Sequence, residues 1–287
     1  MEKIVFGKNF HYAFNVKYYD YLFHVLDEKQ VEEEIANINA ELLKETFVLE
    51  DRVPYGSKCS SFDLKTGYPG LLIGIGNQHE SKQEKATGEF VLGFCLDYVT
   101  GLPYIPGSSI KGLIRSAFNE KVKNHQEYVM SLLSERGFGG DDIFWGTGRE
   151  YLSDTGKKMC KAIESCIFDG IVNGKSLPIG KRDIFYDAQI VERNGKIILP
   201  DTIAPHASSL GKGEQKYAMP VPINFIKVGP EVTFKFIFRL HSSEIQLDGI
   251  NKKYVLTEKQ KLFVFQDIIM DLGIGAKTNV GYGVLDE

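Results

Sequence analysis

Nowhere in this 287-residue chain do eighteen apolar residues follow one another, which excludes a helical membrane span. Cysteine is scarce. Cys59, Cys95, Cys160 and Cys166 form no CxxC pair, so neither a zinc ribbon nor a secreted disulfide framework is expected. The six histidines show no HxxxH spacing and no ligand spacing to a cysteine, and no metal or other cofactor is expected. Basic residues are not in excess: 34 Lys and Arg stand against 38 Asp and Glu, so no global positive field advertises a polyanion, and any such site must come from local clustering. No apolar run behind a basic N-terminal segment marks a secretory leader, and cytoplasmic residence is the expectation. What is present is ordinary globular composition, 43% hydrophobic and 25% charged, enough for one large core or two small ones.

Residues 1–69 read as a separate layer. Phe10, Tyr12, Phe14, Tyr18, Tyr19, Tyr21 and Phe23 crowd one segment, and an acidic helix over 27–47 carries the buried stripe Val31, Ile35, Ile38 and Leu42. The aromatics, with Lys17 among them, are suited either to stacking bases or to docking on the core or on a neighbouring subunit; the acidic helix, which repels phosphate, favours docking. Beyond residue 70 the pattern gives strands at 70–76 and 89–96, a helix after 107, short helical structure at 157–166, and a strand at 183–191. Strands at 221–228 and 232–240, a helix from Thr257 to Leu272, and a last strand at 281–285 complete it. Strand, helix, strands, helix, strand is the order of a split βαβ. The expected fold class is therefore α+β, with a ferredoxin-like, RNA-recognition-motif-like core, an antiparallel sheet, and helices on one face. At 70–287 this domain exceeds what such a core needs, and insertions are placed around 137–182 and 192–219.

Two segments carry chemistry. In GLPYIPGSSIKGLIRSAF, from Gly101 to Phe118, Ser108 or Ser109 is positioned to cap a helix whose apolar face is Ile110, Leu113, Ile114, Ala117 and Phe118. A capping box needs Glu or Gln three residues after Ser108, where Lys111 stands instead. A cation at the positive end of a helix dipole is unfavourable by about 0.3–1 kcal/mol unless an anion is shared, so serine amides with Lys111 and Arg115 suggest a phosphate site. The alternative is a surface helix with a plain serine cap. In LGIGAKTNVGYGVL, from Leu272 to Leu285, Gly273, Gly275, Gly281 and Gly283 permit tight backbone, with Lys277 and Asn279 between them. This is neither a dinucleotide fingerprint, whose strand and helix come in the opposite order, nor a Walker loop. Its amides and Lys277 suit phosphate, and a purely structural glycine turn is the alternative.

These two motifs in this order resemble the RAMP superfamily of CRISPR proteins. Between them, DIFWG at 142–146, DIFYDA at 183–188, DTIAPHAS at 201–208 and PVPINFIKV at 220–228 resemble the sixth-subunit family of the type III-B, or Cmr, RNA-guided effector complex. The likeness runs from about Gly70 to the end. It implies a non-catalytic RNA-binding subunit of antiviral defence that holds CRISPR RNA and its paired target RNA near the guide's 3′ end, beside other Cmr subunits. Ser108, Ser109, Lys111, Arg115 and the loop of Gly273, Gly275, Lys277, Asn279, Gly281 and Gly283 would contact phosphates, which position a strand without reading bases. His206 and Lys212 would belong to a protruding element along the RNA.

Relatives in that superfamily that cut target RNA carry an aspartate in the loop after the first core strand. Here that loop offers His79, Glu80, Glu84 and Glu89, so no catalytic residue is assigned. Two other readings remain: a stand-alone, metal-independent endoribonuclease using His206 as acid or base, and a protein-only scaffold subunit.

Overall fold

The computed structural model describes residues 6–7, 9–24, 31–44, 47–49, 58–73, 88–139, 142–146, 148, 151–203 and 222–287. In the N-terminal layer, Phe10–Tyr12, Ala13–Tyr18 and Tyr19–His24 run on as one helical segment with a π-helical middle, ahead of helix α1 (Val31–Leu42). Its rings turn inward. Phe14 stacks on Tyr18 at 5.2 Å, and Phe10, Phe14 and Tyr18 are at most 2% exposed. The buried Tyr18 hydroxyl accepts from the Phe90 N–H at 2.6 Å and donates to Asn39 Oδ1 at 2.7 Å, while Asn39 Nδ2 donates to the Gly88 carbonyl at 2.8 Å. These bonds satisfy the Tyr18 hydroxyl and the Asn39 amide, so Phe10, Phe14 and Tyr18 work as core and are closed to a stacking base, whereas Tyr12 is 48% exposed.

The two larger sheets and the longer helices around them begin with β1 (Ser60–Thr66), β2 (Val91–Leu92), β3 (Cys95–Leu96), β4 (Pro103–Ile105), α2 (Gly107–Ser116), α3 (His125–Glu135) and α4 (Asp154–Glu164). After them come β5 (Ile184–Phe185), β6 (Ala188–Arg193), β7 (Ile198–Ile203), β8 (Ile223–Val228), β9 (Val232–Arg239), α5 (Glu258–Leu272) and β10 (Leu285–Asp286). An antiparallel sheet runs β10-β1-β9-β6-β4-β3, with β5 also on β9. A second sheet, β2-β8-β7, pairs β8 with β2 in parallel and with β7 in antiparallel fashion.

Alternation along the central strands sorts the two faces of the main sheet. Phe62 opposite Phe236 and Leu64 opposite Phe234 share the face on which Phe238 meets Phe265 of α5 at 5.4 Å. Burying each such ring contributes about 1.5–3 kcal/mol. On the other face the register lines up Asp63, Lys235, Gln189, Tyr104 and Cys95 across five strands, with Asp63 and Lys235 paired at 3.4 Å.

Helix α5 begins as its sequence dictates, with the Thr257 side chain and Gln260 closing a capping box. Its Lys261 is 1% exposed and donates to Asp183 Oδ2 at 2.6 Å and to the His241 carbonyl at 2.7 Å. Asp183 also accepts the His241 N–H at 2.8 Å, so the buried pair is well bonded and ties α5 to the ends of two strands.

Several expectations are corrected. The domain start at residue 70 falls inside the sheet, because β1, at 60–66, lies between β9 and β10. The run 89–96 is two strands in two sheets, parted where Gly93 N–H donates to the Ile226 carbonyl at 2.9 Å. Likewise 183–191 divides into β5 and β6. Within the segment expected as an insertion, 192–219, residues 198–203 form an edge strand of the second sheet.

Candidate nucleic-acid interface

Helix α2 is capped differently from the serine pattern. Pro106, extended at φ −60° and ψ 134°, is the N-cap, and Ser108 and Ser109 lie exposed within the first turn with no capping bond from either side chain. Proline already supplies the φ that an entry needs. The first amide, Gly107 N–H, donates to Asp187 Oδ1 at 2.7 Å, so a carboxylate already answers the positive end of the dipole.

Lys111 and Arg115 have local partners. Lys111 Nζ donates to the Phe168 carbonyl at 2.7 Å. Arg115 forks onto Asp169 at 3.0 and 3.1 Å and reaches Glu164 at 3.0 Å. Those acceptors belong to the end of α4 and the π turn Ser165–Asp169 that continues it, where orphan carbonyls and the negative end of a dipole favour cations. The cation that looked misplaced for its own helix is well placed for its neighbour.

The C-terminal loop is held by its own backbone. Gly273 N–H donates to Ile269 O, Ile274 N–H to Gly283 O, Ala276 N–H to Leu72 O, Gly281 N–H to Thr278 O and Gly283 N–H to Gly70 O, all between 2.7 and 3.0 Å. A Cβ at Gly275 would overlap the Leu72 carbonyl oxygen, and one at Gly283 the Ile274 carbonyl oxygen. The glycines thus let the loop lie against residues 70–72, which is the structural role weighed as the alternative. What this frame presents outward is Lys277, in the left-handed region at φ 61°, and Asn279, both exposed. Among the described residues neither side chain has a hydrogen-bond or ion-pair partner.

The two motifs do not form one pocket. Gly107 packs on the backbone of Phe185 and Tyr186, and Phe185 pairs with Phe238, itself opposite Ser60. The glycine loop sits at the other end of β1, where Gly67 N–H bonds Val284 O at 2.9 Å and Leu285 pairs with Thr66. From 60 to 66 a strand extends about 20 Å at 3.3–3.4 Å per residue. His206 and Lys212 lie outside the described residues, as do His79, Glu80 and Glu84. Glu89 is described and half-buried.

A cluster that sequence reasoning did not single out joins three of the quoted motifs. Lys227 Nζ meets Asp201 Oδ2 at 2.5 Å, and the Tyr282 hydroxyl donates to the same oxygen at 2.6 Å. Burial alone would push the Asp201 carboxyl up, but bonds from Lys227, Tyr282 and the Thr202 N–H, with the Lys227 charge, hold it below its ordinary value. This bond fastens the glycine loop to the second sheet. The only signal in the sequence was a lysine within an apolar strand. Among the described residues no group of three or more His, Cys, Asp or Glu forms a metal-sized cluster.

The profile of the RAMP superfamily matches residues 63–286. The chain belongs to the RAMP superfamily. This RAMP chain is 22% identical over 197 residues to the CRISPR system CMR subunit Cmr6 of Saccharolobus solfataricus, across 69% of its own length and 49% of the relative's. It therefore spans about half the length of the curated relative it matches. Among solved structures it is similar to a chain of the type III-B Cmr-beta bound to cognate target RNA, at TM-score 0.43 and 20% identity, covering 99% of this chain and 77% of that one. Against Cmr6 from Pyrococcus furiosus the TM-score is 0.33 at 19% identity, with 80% and 97% covered.

Proposed function

We propose that this RAMP protein is a non-catalytic RNA-binding subunit of a type III-B CRISPR effector, holding CRISPR RNA and its target beside other Cmr subunits. Its antiviral role is structural: it grips the strand and leaves base reading to the guide. The order β10-β1-β9-β6, with α2 before β6 and α5 before β10, is the arrangement of a ferredoxin-like core, and the insertions and N-terminal layer decorate it. Carrying the reading is the exposed pair Lys277 and Asn279, without a partner among the described residues, on a loop locked by backbone bonds. A cation and an amide displayed on a rigid frame suit phosphate oxygens. Ser108 and Ser109 supply a second contact at the far end of the sheet, which fits a strand tracked along the protein better than a single bound phosphate. In this arrangement Lys111 and Arg115 hold the surface that presents the serines.

Purifying the tagged chain from its own cells, then sequencing bound RNA and identifying companion chains, tests the proposal. CRISPR RNA and Cmr subunits are the expected yield. Recovery of neither overturns it, and so does cleavage of repeat RNA by the purified chain that is lost in His206→Ala, since that outcome selects the endoribonuclease.

A further inference from the structure

We infer that the cleft between the N-terminal layer and the β6–β7 turn is a nucleoside-phosphate site. This inference does not depend on the chain's place in an effector. The cleft holds about 410 Å³, with Phe10, Phe47 and Ile198 among its apolar walls and Lys44, Arg193 and Lys196 among its polar ones. That volume is at the small end of ligand pockets, the scale of one mononucleotide and not of a folded strand.

Each wall has a part in the chemistry. Phe47 is half-buried and braced by Phe10, with ring centroids 5.4 Å apart and planes at 46°, so a flat body meets a ring already held in place. Arg193 Nη2 donates to the Phe47 carbonyl at 3.4 Å, which holds the guanidinium at the Phe47 backbone. Lys44 is paired with Glu41, and Lys196 has no partner among the described residues. Among the described residues these three cations are answered by one carboxylate, a local positive excess in a chain whose net charge is −4. A dianionic phosphate matches that excess, and an aromatic base matches the apolar walls. The same chemistry belongs to a free mononucleotide and to the phosphorylated end of a strand.

Calorimetric titration of the full chain with AMP, adenosine and inorganic phosphate separately tests the site. AMP should bind about tenfold more tightly than either fragment, and Arg193→Ala with Lys196→Ala should weaken AMP about tenfold while the melting temperature stays unchanged. Phe47→Leu should weaken AMP and leave phosphate binding unaltered. Phosphate binding as tightly as AMP, no binding at millimolar AMP, or indifference to the double variant would each overturn the inference. Competition by a short oligoribonucleotide carrying a 5′-phosphate, but not by its dephosphorylated form, identifies a strand end as the occupant; competition by neither identifies the free nucleotide.

Discussion

Replacing Lys277 with alanine tests whether the glycine loop touches an RNA backbone. Single-stranded binding falls with salt at a log–log slope of about −0.7 for each phosphate neutralised. If Lys277 neutralises one phosphate, Lys277→Ala flattens the slope by about 0.7. Between about 50 and about 200 mM salt, wild-type affinity should then drop about 2.6-fold further than the variant's, since four to the power 0.7 is about 2.6. Arg115→Ala is the internal comparison. Its guanidinium binds Asp169 and Glu164, with side-chain exposures of 45%, 37% and 24%, so its loss should cost about 0–1 kcal/mol of stability and leave the slope alone. Fluorescence anisotropy of the full chain on a single-stranded RNA across a salt series measures both slopes. An unchanged slope in Lys277→Ala, or an equal flattening in Arg115→Ala, refutes the division between presenting and contacting residues.

Gly283→Ala should destabilise the fold by about 2–4 kcal/mol in urea titration, because φ is +74° and the new methyl would overlap the Ile274 carbonyl oxygen. Gly112→Ala, in the exposed interior of α2 with nothing within 4 Å of its Cβ position, should instead stabilise by about 0.5–1 kcal/mol; equal effects in the two would refute the packing account. Because Asp201 is held below its ordinary value, its bonds stabilise the fold above the unfolded carboxyl value of about 3.9 and are lost as pH falls through the lower folded value. Asp201→Asn should flatten the fall in stability as pH drops below about 4, and an unaltered profile from acid denaturation would show that the bonds to Asp201 contribute nothing.

Strong local signals in the sequence carried through to the structure. The helix at 258–272 starts at the Thr257 cap with its Gln260 partner, and the strand at 232–239 stands where alternating Phe234, Phe236 and Phe238 put it. Short-range bonding and periodicity decide such elements, and both are written in consecutive residues. Breaks within apolar runs were not legible, since 89–96 reads as one strand but divides between two sheets at a glycine that lets another backbone close in. The cap of α2 was misread for a related reason: the helix starts earlier than the serines, at Pro106, and Asp187, eighty residues away, answers its first amide.

The opening and closing motifs, with the segments between them, were enough to place the chain in its superfamily. Sequence also marked Lys111, Arg115 and Lys277 as the cations to weigh, but it could not say which of them were already spent. That distinction came from tertiary contacts: Phe168, Glu164 and Asp169 take up the first two, while the third stands exposed on a loop that is held by bonds within itself, to residues 66–72 and, through Tyr282, to Asp201. Residue order determines the charge and spacing of a motif. Whether a charge is neutralised inside the protein or left for a partner depends on which distant carbonyls and carboxylates the fold brings within hydrogen-bond reach.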